Sequence, residues 1–187
     1  MEAYNIIFAA LLFWSFAQNA GDVKNSFTSN GTPLLTKPNS YLQKAPLNIS
    51  AIIILFQVAA IFSLGKLDYP FDASFLKLTS LLGYALMSRL QYKAARSLGR
   101  QYSPEIIVYK NHEIVAKGPY KFMRHPQYFG QVAGNIFAAI ALANPFLLIF
   151  TLFLELPLYI KRARLEELLL KKYNSKDYSG YATKTIF

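Results

Sequence analysis

An all-α integral membrane protein of about five transmembrane helices is the fold that the sequence predicts, and three observations predict it. Apolar residues make up 53% of the 187-residue chain, more than the surface of a soluble domain ordinarily allows. They are blocked rather than dispersed, with near-continuous apolar runs at Tyr4–Phe16, Leu47–Leu64, Phe75–Met87, Tyr128–Ala143 and Phe146–Ile160. The basic residues, which give a net charge of +10, collect in alternate connections between those runs.

Each element follows in order. The first run lacks the Lys or Arg that a signal peptide carries at its start and has Glu2 instead, so it reads as a retained span. Gly21–Pro46 is rich in Asn, Ser, Thr, Gly and Pro and reads as a loop. With flanking neutral residues the first three runs reach the ~20 residues of a span. Phe71–Leu98 reads as a third helix that runs past the membrane and closes at Gly99. Ser103–Val115 is enriched in β-branched residues around Lys110-Asn111, which points to a short hairpin or an extended cap. The last two runs are shorter and meet at Asn144-Pro145, a turn signal. They read as a tight helical hairpin, with a re-entrant pair as the alternative. Lys161–Lys172 reads as an amphipathic helix and Asn174–Thr185 as a polar tail.

Charge fixes the expected topology. Lys24, Lys37 and Lys44 follow the first run, Arg89 to Arg124 the third and Lys161 to Lys184 the fifth, while the connection around Lys66, Asp68 and Asp72 is balanced. The positive-inside rule then puts the N-terminus outside and the C-terminus in the cytoplasm. The chain reads as one membrane domain over 1–187, with three spans in 1–97 and the chemistry in 98–187. Charge clustered at helix ends beside lipid argues against nucleic acid. No cysteine is present, which removes disulfides and thiolate chemistry. Two histidines without a matching carboxylate spacing give no expected metal site. No G-x-G-x-x-G or P-loop occurs, so a Rossmann-type nucleotide site is not expected.

The densest chemistry lies in Gly118-Pro119-Tyr120-Lys121-Phe122-Met123-Arg124-His125-Pro126-Gln127-Tyr128-Phe129-Gly130. Charge, imidazole and rigid backbone stand directly before a long apolar run, and Pro126 pre-sets a helix start. With the preceding His112-Glu113-Ile114-Val115 and the later Glu166-Glu167, this stretch resembles the isoprenylcysteine carboxyl methyltransferase and phospholipid methyltransferase superfamily. The family pattern is H-x-L-V-x-x-G-P-Y-x-x-x-R-H-P-x-Y-x-G, a helical hairpin, then R-I-x-x-E-E and a Tyr-containing tail. His112, Val115, Gly118, Pro119, Tyr120, Arg124, His125, Pro126, Tyr128 and Gly130 match it, with Ile114 in place of Leu. The similarity covers about Leu98 to Tyr181.

The resemblance implies an integral membrane enzyme with a cytoplasmic cofactor-binding loop that uses S-adenosyl-L-methionine. It implies a lipid or lipophilic small-molecule acceptor bearing a carboxylate, thiol or amine, drawn from the membrane lipid. Arg124, Glu166 and Glu167 are the expected catalytic residues. His112, Ile114, Val115, Gly118, Pro119, Tyr120, Arg124, His125, Pro126, Tyr128, Gly130 and Glu166 are the expected cofactor-binding residues. The methionine end of the cofactor is a zwitterion, which a cation and a carboxylate together suit. Tyr120 and Tyr128 suit the adenine or the sulfonium, and Gly118 and Gly130 admit close backbone.

One departure stands out. Counted back from Tyr173-Asn174, the acidic pair is displaced by one position. Either Leu165 replaces the first Glu and Glu166 is the second, or the register slips in the next turn. The expected Arg would be Lys161, with Arg162 and Arg164 as substitutes. Glu155, inside the fifth run two residues before Pro157, is a further candidate, paired with Arg89 or held in a packing hydrogen bond. Two other readings stand beside methyl transfer: an NADPH-dependent membrane reductase of the sterol or steroid type, and a non-catalytic membrane scaffold.

Overall fold

The computed structural model describes residues 2–28, 34–110 and 112–186. Helices dominate it: α1 (Ala3–Thr28), α2 (Ala45–Ile61), α3 (Ser74–Leu98), α4 (Pro126–Ala141), α5 (Pro145–Phe150), α6 (Leu156–Tyr173) and α7 (Ser175–Ala182). Two short strands, β1 (Leu34–Thr36) and β2 (Val108–Tyr109), pair antiparallel.

The helical content is as predicted, but the five-span membrane fold is not. Among the described residues no helix is long and apolar enough to cross a membrane. The expected topology, with the N-terminus outside and the motif loop and C-terminus cytoplasmic, falls with the spans on which it rested. The reasons differ by element. α2 has 17 residues and α4 has 16. At 1.5 Å per residue these are about 24–26 Å long, short of the ~30 Å hydrocarbon layer. α3 is longer, but Lys77, Ser80, Ser88, Arg89 and Gln91 interrupt it. α1 starts apolar and ends in a polar sequence, and α6 carries Lys161, Arg162, Arg164, Glu166 and Glu167.

The apolar residues behind the expectation divide between two surfaces. Phe8, Ile53, Leu81, Tyr84, Ala138, Leu142 and Leu147 form the core, whereas Phe13, Leu55, Phe75, Leu86 and Phe153 are exposed. The closest helix pairing is α3 on α4, and glycine permits it. A Cβ on Gly130 would stand 3.1 Å from the Met87 carbonyl oxygen and 2.8 Å from Gln91 Cγ. Gly130 therefore serves helix approach and not ligand approach.

The turn at Asn144-Pro145 falls where the sequence puts it. Asn144 Oδ1 accepts from the Leu147 amide at 2.9 Å, and Pro145 occupies the first turn of α5, where its missing N–H costs nothing. α5 then continues through a π turn (Thr151–Glu155) into α6. Pro157 has no amide to offer the carbonyl four residues back, and the Leu156 amide bonds Thr151 O instead. The wider i→i−5 turn absorbs the proline.

Two connections differ from expectation. α1 continues to Thr28 through much of the segment read as loop, and residues 29–33 lie outside the described residues. The extended stretch near Val108 does not form a local hairpin. It pairs with β1, with Leu34 opposite Tyr109 and Thr36 opposite Val108, and Asn111 at the expected turn lies outside the described residues. Gln43 ties the two stretches together: its Oε1 accepts from Ile106 N at 2.8 Å and its Nε2 donates to Ile106 O at 2.9 Å. Arg89 is not the partner of Glu155. It lies over the Tyr92 ring and donates to Gln18 at 3.5 Å.

Candidate active site

Three segments build the site: the motif loop before α4, the first turns of α4 and the middle of α6. Gly118 begins the loop at φ +59°, a left-handed conformation that glycine adopts without strain, and its Cα faces the Ser97 hydroxyl. A 3₁₀ turn, Gly118–Lys121, follows and buries Tyr120. The loop is then strapped by the chain's last described residues. Arg124 N donates to Ile186 O at 2.9 Å and Ile186 N to Phe122 O at 3.0 Å. The Tyr181 hydroxyl donates to Tyr120 O at 2.8 Å.

This strap aims Arg124. Its Nη1 donates to Ala182 O and Thr185 O, both at 3.1 Å, while Nε donates to Glu167 Oε1 at 2.7 Å. His125 reaches the same carboxylate through Nε2 at 3.1 Å, and its Nδ1 lies 3.7 Å from Glu166 Oε2. The His125 ring stacks on Tyr128, with centroids 5.5 Å apart and planes 2° apart. The Tyr128 hydroxyl donates to Glu166 and accepts from Arg162 Nε at 2.8 Å. Successive carboxylates on α6 therefore take successive turns of the motif, Glu167 with Arg124 and His125, Glu166 with Tyr128 and Arg162.

Both acidic residues thus face the motif. Arg162 is the cation that the sequence reading ranked only as a substitute. It is buried, one helical turn before Glu166, and it also donates to Pro104 O at 2.6 Å and Leu42 O at 3.5 Å. The favoured Lys161 is exposed. The i, i+4 spacing to Glu166 was the signal for Arg162 in the sequence.

Between these elements lies an open cleft, lined by residues of the motif loop, the first turn of α4, the stretch before β2 and α6. Its polar lining includes His112, Tyr120, Arg124, His125, Tyr128 and Glu166, with Gln101, Ser103, Glu105 and Gln127, and its apolar lining is Leu98, Ile106, Ile107, Val108, Leu169 and Leu170. Ile114 and Val115 line an adjoining lobe that shares His112, Tyr120, Arg124 and His125. Glu167 faces a separate groove toward α7 with Arg164 and Lys171. Gly118, Pro119, Pro126 and Gly130 are outside the cleft lining. Among the described residues no cluster suited to a metal ion occurs.

The electrostatics follow from these contacts. The bond from His125, and after it that from Arg124, holds the Glu167 carboxyl below the usual carboxylate range against the cost of burial. Burial pushes the His112 imidazole down, so the ring is neutral at pH 7. Its Nδ1 is buried and, among the described residues, has no hydrogen-bond partner, which leaves a polar atom in the cleft for a ligand to satisfy. Burial, then the nearby Glu166 charge, raises the Tyr120 phenol.

Because folding lowers the Glu167 pKa, the unfolded chain binds its proton first on acidification. The stability that Glu167 contributes is therefore present above the ordinary carboxylate range and is lost as pH falls through the lowered value. Urea unfolding of the parent and Glu167→Gln is expected to show the variant less stable near neutrality. The difference should close as pH falls from the ordinary glutamate range through the lowered value. A constant difference across that range would place the effect outside the ion pair.

The comparisons with known proteins agree with this geometry. Residues 79–172 match the Isoprenylcysteine carboxyl methyltransferase (ICMT) family. The chain is 31% identical over 113 residues to a protein-S-isoprenylcysteine O-methyltransferase of Saccharomyces cerevisiae, covering 58% of this chain and 47% of that protein. It is also 31% identical over 94 residues to a probable protein-S-isoprenylcysteine O-methyltransferase of Oryza sativa subsp. indica, covering 49% of each. The chain spans about half the length of these curated relatives. The matched half carries the motif loop, the α4–α5 turn, Arg162 and both carboxylates, and the chain belongs to the isoprenylcysteine carboxyl methyltransferase family.

Proposed function

We propose that this protein transfers a methyl group from S-adenosyl-L-methionine to a lipophilic acceptor of the prenylcysteine kind. The observation that carries the reading is the convergence of two cation–carboxylate pairs, Arg124 with Glu167 and Arg162 with Glu166, beside a cleft that is lined in part by aliphatic side chains.

The residues present fit the cofactor. Its zwitterionic methionine end needs a cation and an anion side by side, and the polar lining offers Arg124 and His125 beside Glu166. The unpartnered His112 Nδ1 supplies one further polar contact. Once bound, S-adenosyl-L-methionine supplies an electrophilic methyl on a sulfonium, open to in-line displacement. The chain's own residues then bind and orient. Arg124, held by two strap carbonyls, receives a carboxylate without reorganising. Tyr128, locked between Arg162 and Glu166, offers a fixed ring face. Ile106, Ile107 and Val108 seat an apolar acceptor and keep water from the reacting atoms. A carboxylate acceptor needs only this positioning, whereas an amine or thiol would give its proton to Glu166 or His125.

Calorimetry on the purified protein tests this directly. S-adenosyl-L-methionine and S-adenosylhomocysteine are expected to bind saturably and NADPH not to bind, and labelled methyl from the first is expected on a prenylated cysteine. NADPH binding without the other two would favour the reductase and sink the methyl-transfer reading.

A further inference from the structure

Glu155 is fully buried on the π turn between α5 and α6, away from the cleft lining. Its carboxylate accepts from Asn135 Nδ2 at 2.7 Å, Ser50 Oγ at 3.1 Å and Gln131 Nε2 at 3.4 Å. Asn135 is itself held by Gln57 Nε2 at 2.8 Å. Every one of these donors is neutral. A carboxylate sequestered this way costs free energy that an apolar residue would not, and π turns recur at functional positions.

The donors show where its influence goes. Ser50 has one hydroxyl proton, and it is given to Glu155. The Ser50 oxygen is then left as an acceptor, so its 3.0 Å contact with Tyr159 is donated by the Tyr159 hydroxyl. One carboxylate thus sets the direction of two bonds in series and holds the Tyr159 phenol toward α2. The Tyr159 ring packs against the Tyr128 ring, with centroids 4.8 Å apart and planes tilted by 47°. Tyr128 is gripped at its hydroxyl by Arg162 and Glu166, and Tyr159 braces its ring. Glu155 and Tyr159 are one helical turn apart, and both reach Ser50.

We propose that Glu155 is a positioning residue for the cleft, fixing the Tyr128 ring through Ser50 and Tyr159. The kinetic part of this proposal rests on the methyl-transfer reading above; the structural part does not.

Ser50→Ala separates the two, since it keeps the carboxylate and both rings and removes only the link. In spectra of the full chain labelled at tyrosine Cζ, assigned with Tyr128→Phe and Tyr159→Phe, the substitution is expected to move the Tyr128 signal as well as that of Tyr159. Turnover should fall about tenfold in kcat, with the Kd for S-adenosylhomocysteine changed by less than about threefold. Tyr159→Phe keeps the ring and provides the same test by kcat if Ser50→Ala does not fold. An unmoved Tyr128 signal, or an unchanged kcat beside a lowered unfolding temperature, would show that Glu155 only packs and would overturn the proposal. A moved Tyr128 signal in a parent that transfers no methyl group would support the positioning role and remove the methyl-transfer reading.

Discussion

Replacing Arg162 by methionine is expected to cost about 3–5 kcal/mol of stability, the range for removing one partner of a buried charge pair. Arg162 is 3% exposed and joins four parts of the chain: the Leu42 carbonyl before α2, the Pro104 carbonyl after α3, Tyr128 on α4 and Glu166 on its own helix. Methionine fills similar space but satisfies none of these acceptors and leaves Glu166 with only the Tyr128 hydroxyl and the His125 ring beside it. Arg162→Lys should recover little, because an ammonium on a flexible stem cannot reproduce the planar fork that reaches two carbonyls and a phenol together. The neighbouring Lys161→Met, on the exposed side of the helix, should stay within about 0.5 kcal/mol of the parent. Urea unfolding followed by circular dichroism measures all three. Equal losses at 161 and 162 would show that the Arg162 contacts contribute nothing.

The second large effect is expected on binding. Arg124→Ala removes a cation held by Glu167 and two carbonyls, and loss of a charge-assisted hydrogen bond costs about 1.5–3 kcal/mol. Affinity for S-adenosylhomocysteine should therefore fall roughly ten- to hundredfold. The helical spectrum should persist, since Arg124 lies in a loop and the backbone bonds of the Ile186 strap do not use its side chain. Unchanged affinity in a folded Arg124→Ala protein would move the cofactor's carboxylate elsewhere in the polar lining.

Local chemistry in this chain was legible where a single residue decides a backbone state. Asn144-Pro145 marks its turn because an Asx cap and a first-turn proline act within four residues. Pro126 marks the start of α4 for the same reason. The motif loop was legible as one unit because its partners are encoded by order along the chain. The spans were not. A run of apolar residues states that surface must be covered, but whether a helix continues through it depends on breaks that composition averages away, such as the end of α2 at Ile61 and the widened turn at Thr151. The pairing of β1 with β2 joins residues some seventy positions apart, and no local periodicity encodes that. The signal for Arg162 lies not in the spacing back from Tyr173 but in the i, i+4 face that it shares with Glu166.

The strap at Ala182–Ile186 has a consequence for how the protein is made. Arg124 receives its two carbonyls and its amide partner from residues some sixty positions downstream. During synthesis the motif loop cannot be set before residues 182–186 have been added, whatever the helices before them have done. The Arg124 edge of the cleft is therefore completed only once Ile186 has left the ribosome. A nascent chain stalled before that point would present an unaimed Arg124.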